Sequence, residues 1–172
     1  MHTFSRDREK TVSPFIYQSV SKSDMLVYCF GEIDCRCHIA KHITSDVSYI
    51  TIIDRLTSLY LDTVQYMSAR YLPEGAKSAI YSVVPPIRKL DGRDSTEYPF
   101  LGSDLDRLYY HQYMNSRLRS LCRENNIIFF DITDKYEDSE GYLIPEKSDR
   151  RCHIDDPRGI IDTIYEMNIE IG

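Results

Sequence analysis

The sequence predicts an α/β fold in which helices cover both faces of a parallel sheet. Three short apolar runs, rich in β-branched and aromatic residues, are typical of buried strands: Met25–Phe30, Ala79–Val84 and Ile127–Ile132. Two long amphipathic segments separate these runs, and a shorter one follows the third. Because strands that alternate with helices pair in parallel through right-handed crossovers, the three runs should be neighbours in one sheet.

The densest group of chemically versatile side chains follows the first run. Gly31 ends the predicted strand, and Glu32, Asp34, Arg36 and His38 come directly after it. In open parallel sheets ligands bind just beyond the carboxyl ends of the strands, so these five residues are predicted to form a substrate-binding edge. Arg36 could hold a carboxylate or phosphate as a bidentate donor, or it could pair internally with Glu32 or Asp34, and internal pairing is favoured.

The helices are predicted from apolar spacing and from their end signals. In the first, from about Ser48 to Leu72, apolar residues recur at steps of three and four. The second runs from Ser103, a suitable N-cap, to about Asn125. Its buried face includes polar residues that need hydrogen-bond partners, namely Gln112 and Asn115. Pro157 fits the first turn of a final helix.

Length and composition limit the classes of protein to consider. A chain of 172 residues with 42% hydrophobic and 28% charged residues is typical of one globular domain, predicted over residues 25–172 with an N-terminal arm over 1–24. A net charge of −6 argues against a nucleic-acid-binding surface. The sequence has no membrane-length apolar stretch and no signal-peptide pattern, which predicts no membrane association and, by default, a cytoplasmic location.

The five cysteines are predicted to be free thiols, since their number is odd and no export signal is present. Cys29 and Cys122 fall in apolar patterns and should be core residues. The remaining cysteines and nearby histidines could ligate zinc, although no C-x2-4-C pair occurs: Cys35, Cys37, His38, His42, Cys152 and His153. Neither a metal nor another cofactor is expected. Cys35 or Cys37 could instead serve as a nucleophile, although nothing in the spacing indicates a lowered thiol pKa.

Several motifs, in this order, resemble the SGNH/GDSL hydrolase family, in a subgroup with a G-E-I-D-C-R segment. They are Gly31–Arg36, Val84-Pro85-Pro86, the helix-to-strand passage Met114–Ile132, and Ser148–Ile154. The resemblance extends from Met25 to the C-terminus. It implies a three-layer α/β/α flavodoxin-like fold whose sheet is incomplete on the N-terminal side.

The resemblance also implies hydrolysis of small-molecule or carbohydrate esters, including removal of acetyl groups. Carried over by position, His153 is the general base and Asp149 the carboxylate that orients it. The family's G-D-S nucleophile block is absent, because Gly102-Ser103-Asp104 has the wrong order. Ile33 stands where the family usually has an asparagine that donates to the oxyanion. Without the family context, His153 could equally be a solvated loop histidine.

Three functions therefore remain open from the sequence. The chain could be an SGNH-like esterase or deacetylase completed by a serine from elsewhere, including a partner chain that supplies the missing N-terminal part. It could be an inactive module that holds a polar ligand with Arg36, His38 and His153. It could also be an assembly subunit or homo-oligomer whose 14 tyrosines provide contact surface. The catalytic hypothesis predicts that His153 lies beside Gly31–Arg36, with Asp149 within hydrogen-bonding reach.

Overall fold

The chain forms a sheet of three parallel strands, in a computed structural model that describes residues 14–92 and 96–167. The strands are β1 (Met25–Tyr28), β2 (Lys77–Tyr81) and β3 (Ile128–Phe130), with β2 in the centre. The register aligns Val27 with Ala79 and Ala79 with Ile128. The predicted strand identities, direction and neighbours are thus confirmed.

Strands β2 and β3 end before their apolar runs do, because beyond the sheet the backbone pairs with side chains instead of a neighbouring strand. After β2, the backbone N–H of Val83 donates to Asn115 Oδ1 at 2.8 Å, and Asn115 Nδ2 donates to the Val83 carbonyl at 3.0 Å. After β3, the Ile132 N–H donates to Ser82 Oγ at 3.1 Å. The predicted strand ends at Val84 and Ile132 were therefore wrong, although the residues near them are buried.

Two long helices connect the strands, as predicted. The helices are α1 (Pro14–Gln18), α2 (Ile39–His42), α3 (Tyr49–Tyr71), α4 (Asp104–Glu124), α5 (Thr133–Tyr136) and α6 (Arg158–Glu166), with a 3₁₀ turn at Pro145–Lys147. Ser48 caps α3, and Ser103 forms a capping box with Asp106 at the start of α4. Such caps each stabilise a helix by about 1 kcal/mol. In the described ranges, no helix combines the length and apolarity needed to cross a membrane.

The sheet separates two apolar cores, which gives the predicted three layers. Successive side chains of a strand point to opposite faces, so Ile80 packs with α3 and α4 on one face. Ala79 and Tyr81 pack on the other face, where α6 contributes Ile160 and Ile164. The carboxyl ends of β1 and β2 are left open between these layers.

The described part of the predicted N-terminal arm packs on the domain. Tyr17, in α1, is buried in the core with α3, and its ring lies 5.1 Å from that of Tyr71. Its hydroxyl lies 3.4 Å from that of Tyr28. Residues 1–13 of the arm lie outside the described residues, and the boundary at residue 24 stays a prediction.

Candidate functional site

A cleft of about 1010 Å³ opens at the carboxyl ends of β1 and β2. One wall comes from Gly31–Arg36, and another from residues 151–154, which are far away in the sequence. Val83, Tyr81 and Tyr98 also line the cleft. The structure therefore brings His153 beside the end of β1, as the spatial prediction required.

A π-helical turn, Asp34–His38, shapes the first wall. Gly31 has a φ of 122°, which favours glycine, and it allows the chain to turn sharply from β1 into this segment. The Ile39 N–H donates to the Asp34 carbonyl, five residues earlier. Such turns are frequent at functional sites.

The π-helical turn directs its two cysteines into the core. Cys35 and Cys37 are buried, and Cys35 Sγ lies 3.8 Å from Met114 Sδ. Burial and the charges of Asp34 and Glu32 raise the pKa of Cys35 well above its usual value. The alternative in which either thiol attacks a substrate in the cleft was therefore wrong. Across the described ranges, no three His, Cys, Asp or Glu side chains are grouped to hold a metal ion.

Arg36 is occupied by contacts within the protein. Its Nε and Nη2 donate to the two carboxylate oxygens of Glu32 at 2.7 and 3.1 Å, and Nη1 donates to the Tyr98 carbonyl. The guanidinium also lies 5.6 Å from the centre of the Phe100 ring. Burial opposes its charge, but the hydrogen bonds and charge of Glu32 raise the pKa of Arg36. Glu32 is thus the internal partner that the sequence favoured for Arg36. The contacts of Arg36 with Tyr98 and Phe100 also hold this wall of the cleft against residues 98–100.

Asp34 and His38 form a second pair in the same segment, two residues after Glu32 and Arg36. His38 Nδ1 lies 3.2 Å from Asp34 Oδ1. Burial opposes ionisation of Asp34, yet the hydrogen bond with His38 helps to lower its pKa. Asp34 lines the cleft with Gly31, Glu32 and Arg36, whereas His38 does not. The His38 ring lies 6.1 Å between centres from that of Tyr98, which does line the cleft, so a substrate-binding role for His38 stays a prediction.

The second wall contains the Asp149–His153 pair. His153 Nδ1 lies 2.8 Å from Asp149 Oδ2, while Asp149 Oδ1 accepts backbone N–H bonds from Arg151, Cys152 and His153 at 2.8 to 3.1 Å. Burial raises the pKa of Asp149, but these bonds outweigh it and lower the pKa to about 2. With Nδ1 donating to an ionised Asp149, the lone pair of His153 lies on Nε2, where a base needs it.

Cys152, which the sequence suggested only as a zinc ligand, is part of the cleft. Its Sγ lies 3.6 Å from His153 Nε2 and 3.9 Å from Arg36 Nη2. Burial and the charge of Glu32 raise its pKa to about 12, so at neutral pH it is a protonated thiol and a poor nucleophile. Tyr98 and Arg151 also line the cleft. Neither was predicted as a site residue, because loop residues carry no periodic signal.

The hydroxyl groups that the structure describes in the cleft do not lie next to His153. Ser82 lines the cleft, but it is 1% exposed and its Oγ accepts from Ile132. Among the described residues, no hydroxyl lies within hydrogen-bonding distance of His153 Nε2. Within residues 14–92 and 96–167, the cleft therefore contains an oriented imidazole without an adjacent serine.

Comparison with known proteins identifies the fold. No protein-family model matches the chain, and no curated protein matches it. Among solved structures it is similar to a GDSL-like lipase from Bacteroides thetaiotaomicron, with 16% identity and a TM-score of 0.54 over 84% of this chain and 61% of the other. A Streptococcus pneumonia protein described as a platelet activating factor gives 14% identity and a TM-score of 0.58 over 84% and 59%.

An aryl esterase from M. smegmatis is also similar, with 13% identity and a TM-score of 0.50 over 91% of this chain and 66% of the esterase. At these identities the likeness shows a shared fold, which is the SGNH/GDSL-like α/β fold. The chain spans 61% and 59% of the length of the first two structures.

Proposed function

We propose that this chain supplies the general base of an SGNH/GDSL-type esterase or carbohydrate deacetylase, with the serine nucleophile contributed by polypeptide outside these 172 residues. The observation that carries the proposal is the Asp149–His153 hydrogen bond of 2.8 Å in the wall of the cleft. The absence of a G-D-S block from the sequence is the reason for assigning the serine to another segment.

The chemistry follows from the orientation of the imidazole. A serine hydroxyl placed near His153 Nε2 loses its proton to that nitrogen as its oxygen attacks the acyl carbon. Asp149, whose low pKa keeps it ionised, stabilises the imidazolium that forms. His153 then returns the proton to the departing alcohol, and a water molecule releases the acyl group by the same steps. Without the serine, the rate falls by about a million-fold in comparable hydrolases.

The cleft suits a small or carbohydrate ester. Its volume of about 1010 Å³ accommodates a small molecule, and the Tyr98 side chain offers a stacking surface for a sugar or aryl ring. The similar structures include a lipase and an aryl esterase, which supports an ester as the substrate class.

A binding experiment tests this proposal without requiring turnover. Acetanilide, an amide counterpart of aryl acetates, should shift the imidazole NMR signals of His153 and leave those of the exposed His42 unchanged. The Tyr98 ring signals should shift as well, because Tyr98 lines the same cleft. Saturating acetanilide that shifts neither His153 nor Tyr98 would contradict an ester-binding cleft.

A second candidate function is a catalytically inactive module that binds a polar ligand or assembles with other proteins. The observation that favours it is the lack of a described hydroxyl beside His153. The contacts of Arg36 argue against a polar-ligand module, since its Nε and Nη2 already donate to Glu32 and are not free to bind an anionic ligand.

A further inference from the structure

The thiol of Cys152 lies between the two walls of the cleft, beside the imidazole that serves as the base in the proposed function. Its Sγ lies 3.6 Å from His153 Nε2 on its own wall and 3.9 Å from Arg36 Nη2 on the opposite wall. Cys152 therefore belongs to a set of contacts that spans the cleft. The proton transfers of the proposed reaction give this thiol no role.

The direction of the contact with His153 follows from Asp149. An ionised carboxylate only accepts hydrogen bonds, so His153 Nδ1, 2.8 Å from Asp149 Oδ2, carries a proton. In the neutral imidazole Nε2 then has a lone pair and no proton, which makes the thiol the donor. Burial and the charge of Glu32 raise the pKa of Cys152 to about 12, so the thiol keeps its proton at neutral pH. The Cys152 S–H thus occupies the lone pair of His153.

Arg36 holds the sulfur in this position. Its Nη2 donates to Sγ, and the guanidinium is itself fixed by two bonds to the Glu32 carboxylate and one to the Tyr98 carbonyl. Arg36 is only 8% exposed. A buried and firmly held donor on the opposite wall therefore favours the Cys152 rotamer in which the thiol lies against His153.

The thiol competes with a nucleophile for the same position on His153. An imidazole nitrogen has one lone pair in the plane of the ring, and a nucleophilic hydroxyl needs that lone pair at about 2.6–3.2 Å. The S–H and an O–H cannot both donate to it. A thiol is the weaker donor, so an incoming hydroxyl can displace it. The displaced thiol keeps its proton and has a second acceptor in the nearby Glu32 carboxylate.

We propose that Cys152 is a gating residue, whose thiol covers His153 Nε2 until the hydroxyl of a nucleophile displaces it. The inference rests on the proposed function, because it requires His153 to be the base. Its consequence is that the chain alone keeps its base covered, and the polypeptide that brings the serine uncovers it. A weak hydrogen bond suits this role, because a strong donor would also exclude the serine.

The contact is tested by ¹⁵N NMR of the His153 imidazole in the full chain at about pH 8, where a free imidazole is neutral. We expect Nδ1 to carry the proton and Nε2 to resonate upfield of a bare ring nitrogen, because it accepts a hydrogen bond. Cys152→Ala should move the Nε2 signal downfield. Cys29→Ala should leave it unmoved, because Cys29 lines the cleft but makes none of the hydrogen bonds described for His153.

A second variant keeps a donor at the same position. The hydroxyl of Cys152→Ser is a stronger donor than the thiol and should move the Nε2 signal further upfield. If Cys152→Ala is poorly folded, this opposite shift still decides whether the side chain at position 152 donates to His153.

The effect on the base is tested by acetyl transfer from p-nitrophenyl acetate to methanol. At the same methanol concentration, Cys152→Ala should transfer acetyl about two- to fivefold faster than the wild type, the factor expected for release of one weak hydrogen bond. Asp155→Asn is the control, since Asp155 is exposed, lies in the same loop and does not line the cleft. This control should leave the rate unchanged.

Three results would overturn the proposal. They are a proton on His153 Nε2, an Nε2 signal that neither substitution of Cys152 moves, and a methanol-dependent rate that Cys152→Ala does not increase. The third result, with transfer present in the wild type, overturns the gate alone and leaves the proposed function standing. Absence of transfer from both proteins overturns the proposed function, and the gate with it.

Discussion

The charge of Asp149 should stabilise the loop that carries His153. Asp149→Asn keeps one side-chain oxygen that can accept the backbone N–H bonds of residues 151–153, but it removes the negative charge. The variant therefore isolates the electrostatic part of the interaction with His153.

The size of the effect follows from the pKa of Asp149, which falls from 3.8 to about 2 on folding. At about 1.4 kcal/mol per unit, this difference corresponds to about 2.5 kcal/mol. Since 31% of the Asp149 side chain is exposed, solvent screening reduces the contribution to about 1 kcal/mol. We expect Asp149→Asn to lower the free energy of unfolding by about 1 kcal/mol at pH 7.

The pH dependence has a definite direction. A carboxylate whose pKa is lowered by folding stabilises the folded state above its unfolded pKa, and that contribution is lost as the pH falls through the folded pKa. The difference between wild type and Asp149→Asn should thus be largest above pH 3.8 and disappear near pH 2.

Urea unfolding of both proteins at a series of pH values measures this difference. Asp155→Asn is the matched control, because Asp155 is exposed and should show little difference at any pH. A difference for Asp149→Asn that stays constant down to pH 2 would refute the reasoning, since it would arise from altered loop geometry rather than from charge.

Two further predictions concern the framework of the cleft. Asn115→Ala should lower the free energy of unfolding by about 1–3 kcal/mol in urea, because it leaves the buried N–H of Val83 unpaired, while His111 Nε2 remains 2.9 Å from the Val83 carbonyl. Arg36→Lys should cost about 2–3 kcal/mol in the same assay, because an ammonium cannot bind both Glu32 oxygens and the Tyr98 carbonyl in the same geometry. The matched controls are Ser116→Ala and Arg123→Lys, at exposed positions. If these controls lower the free energy of unfolding as much as Asn115→Ala and Arg36→Lys do, the stated causes are contradicted.

The sequence predicted the helices better than the strand ends, for a physical reason. The cap at Ser103 and the apolar spacing of α3 and α4 are local signals, so both long helices were predicted to within a residue or two. The ends of β2 and β3 depend on Asn115 and Ser82, which replace strand neighbours only once the chain is folded. An apolar run in the sequence indicates which residues are buried, and buried residues continue beyond the last residue that pairs with a neighbouring strand.

Parts of the site could also be predicted from the sequence. The position of Gly31–Arg36 follows from the rule for strand ends, and the proximity of Asp149 and His153 followed from the family resemblance. The π-helical turn and the contact of Arg36 with Cys152 arise from long-range packing, which spacing alone does not reveal.

Chemical rescue by an added alcohol tests the central claim most directly, namely that His153 is a positioned base and that no nucleophile lies beside it among the described residues. With p-nitrophenyl acetate in water alone, the 172-residue chain should hydrolyse the ester only slowly, because His153 can activate water but no serine lies beside it in the described residues. Added methanol should restore acyl transfer to form methyl acetate, about a hundredfold faster than without protein, near the lower end of general-base catalysis. His153→Ala should abolish this rescue, whereas the exposed His42→Ala should retain it. Robust turnover in water that His153→Ala abolishes, or rescue that survives His153→Ala, would contradict the account.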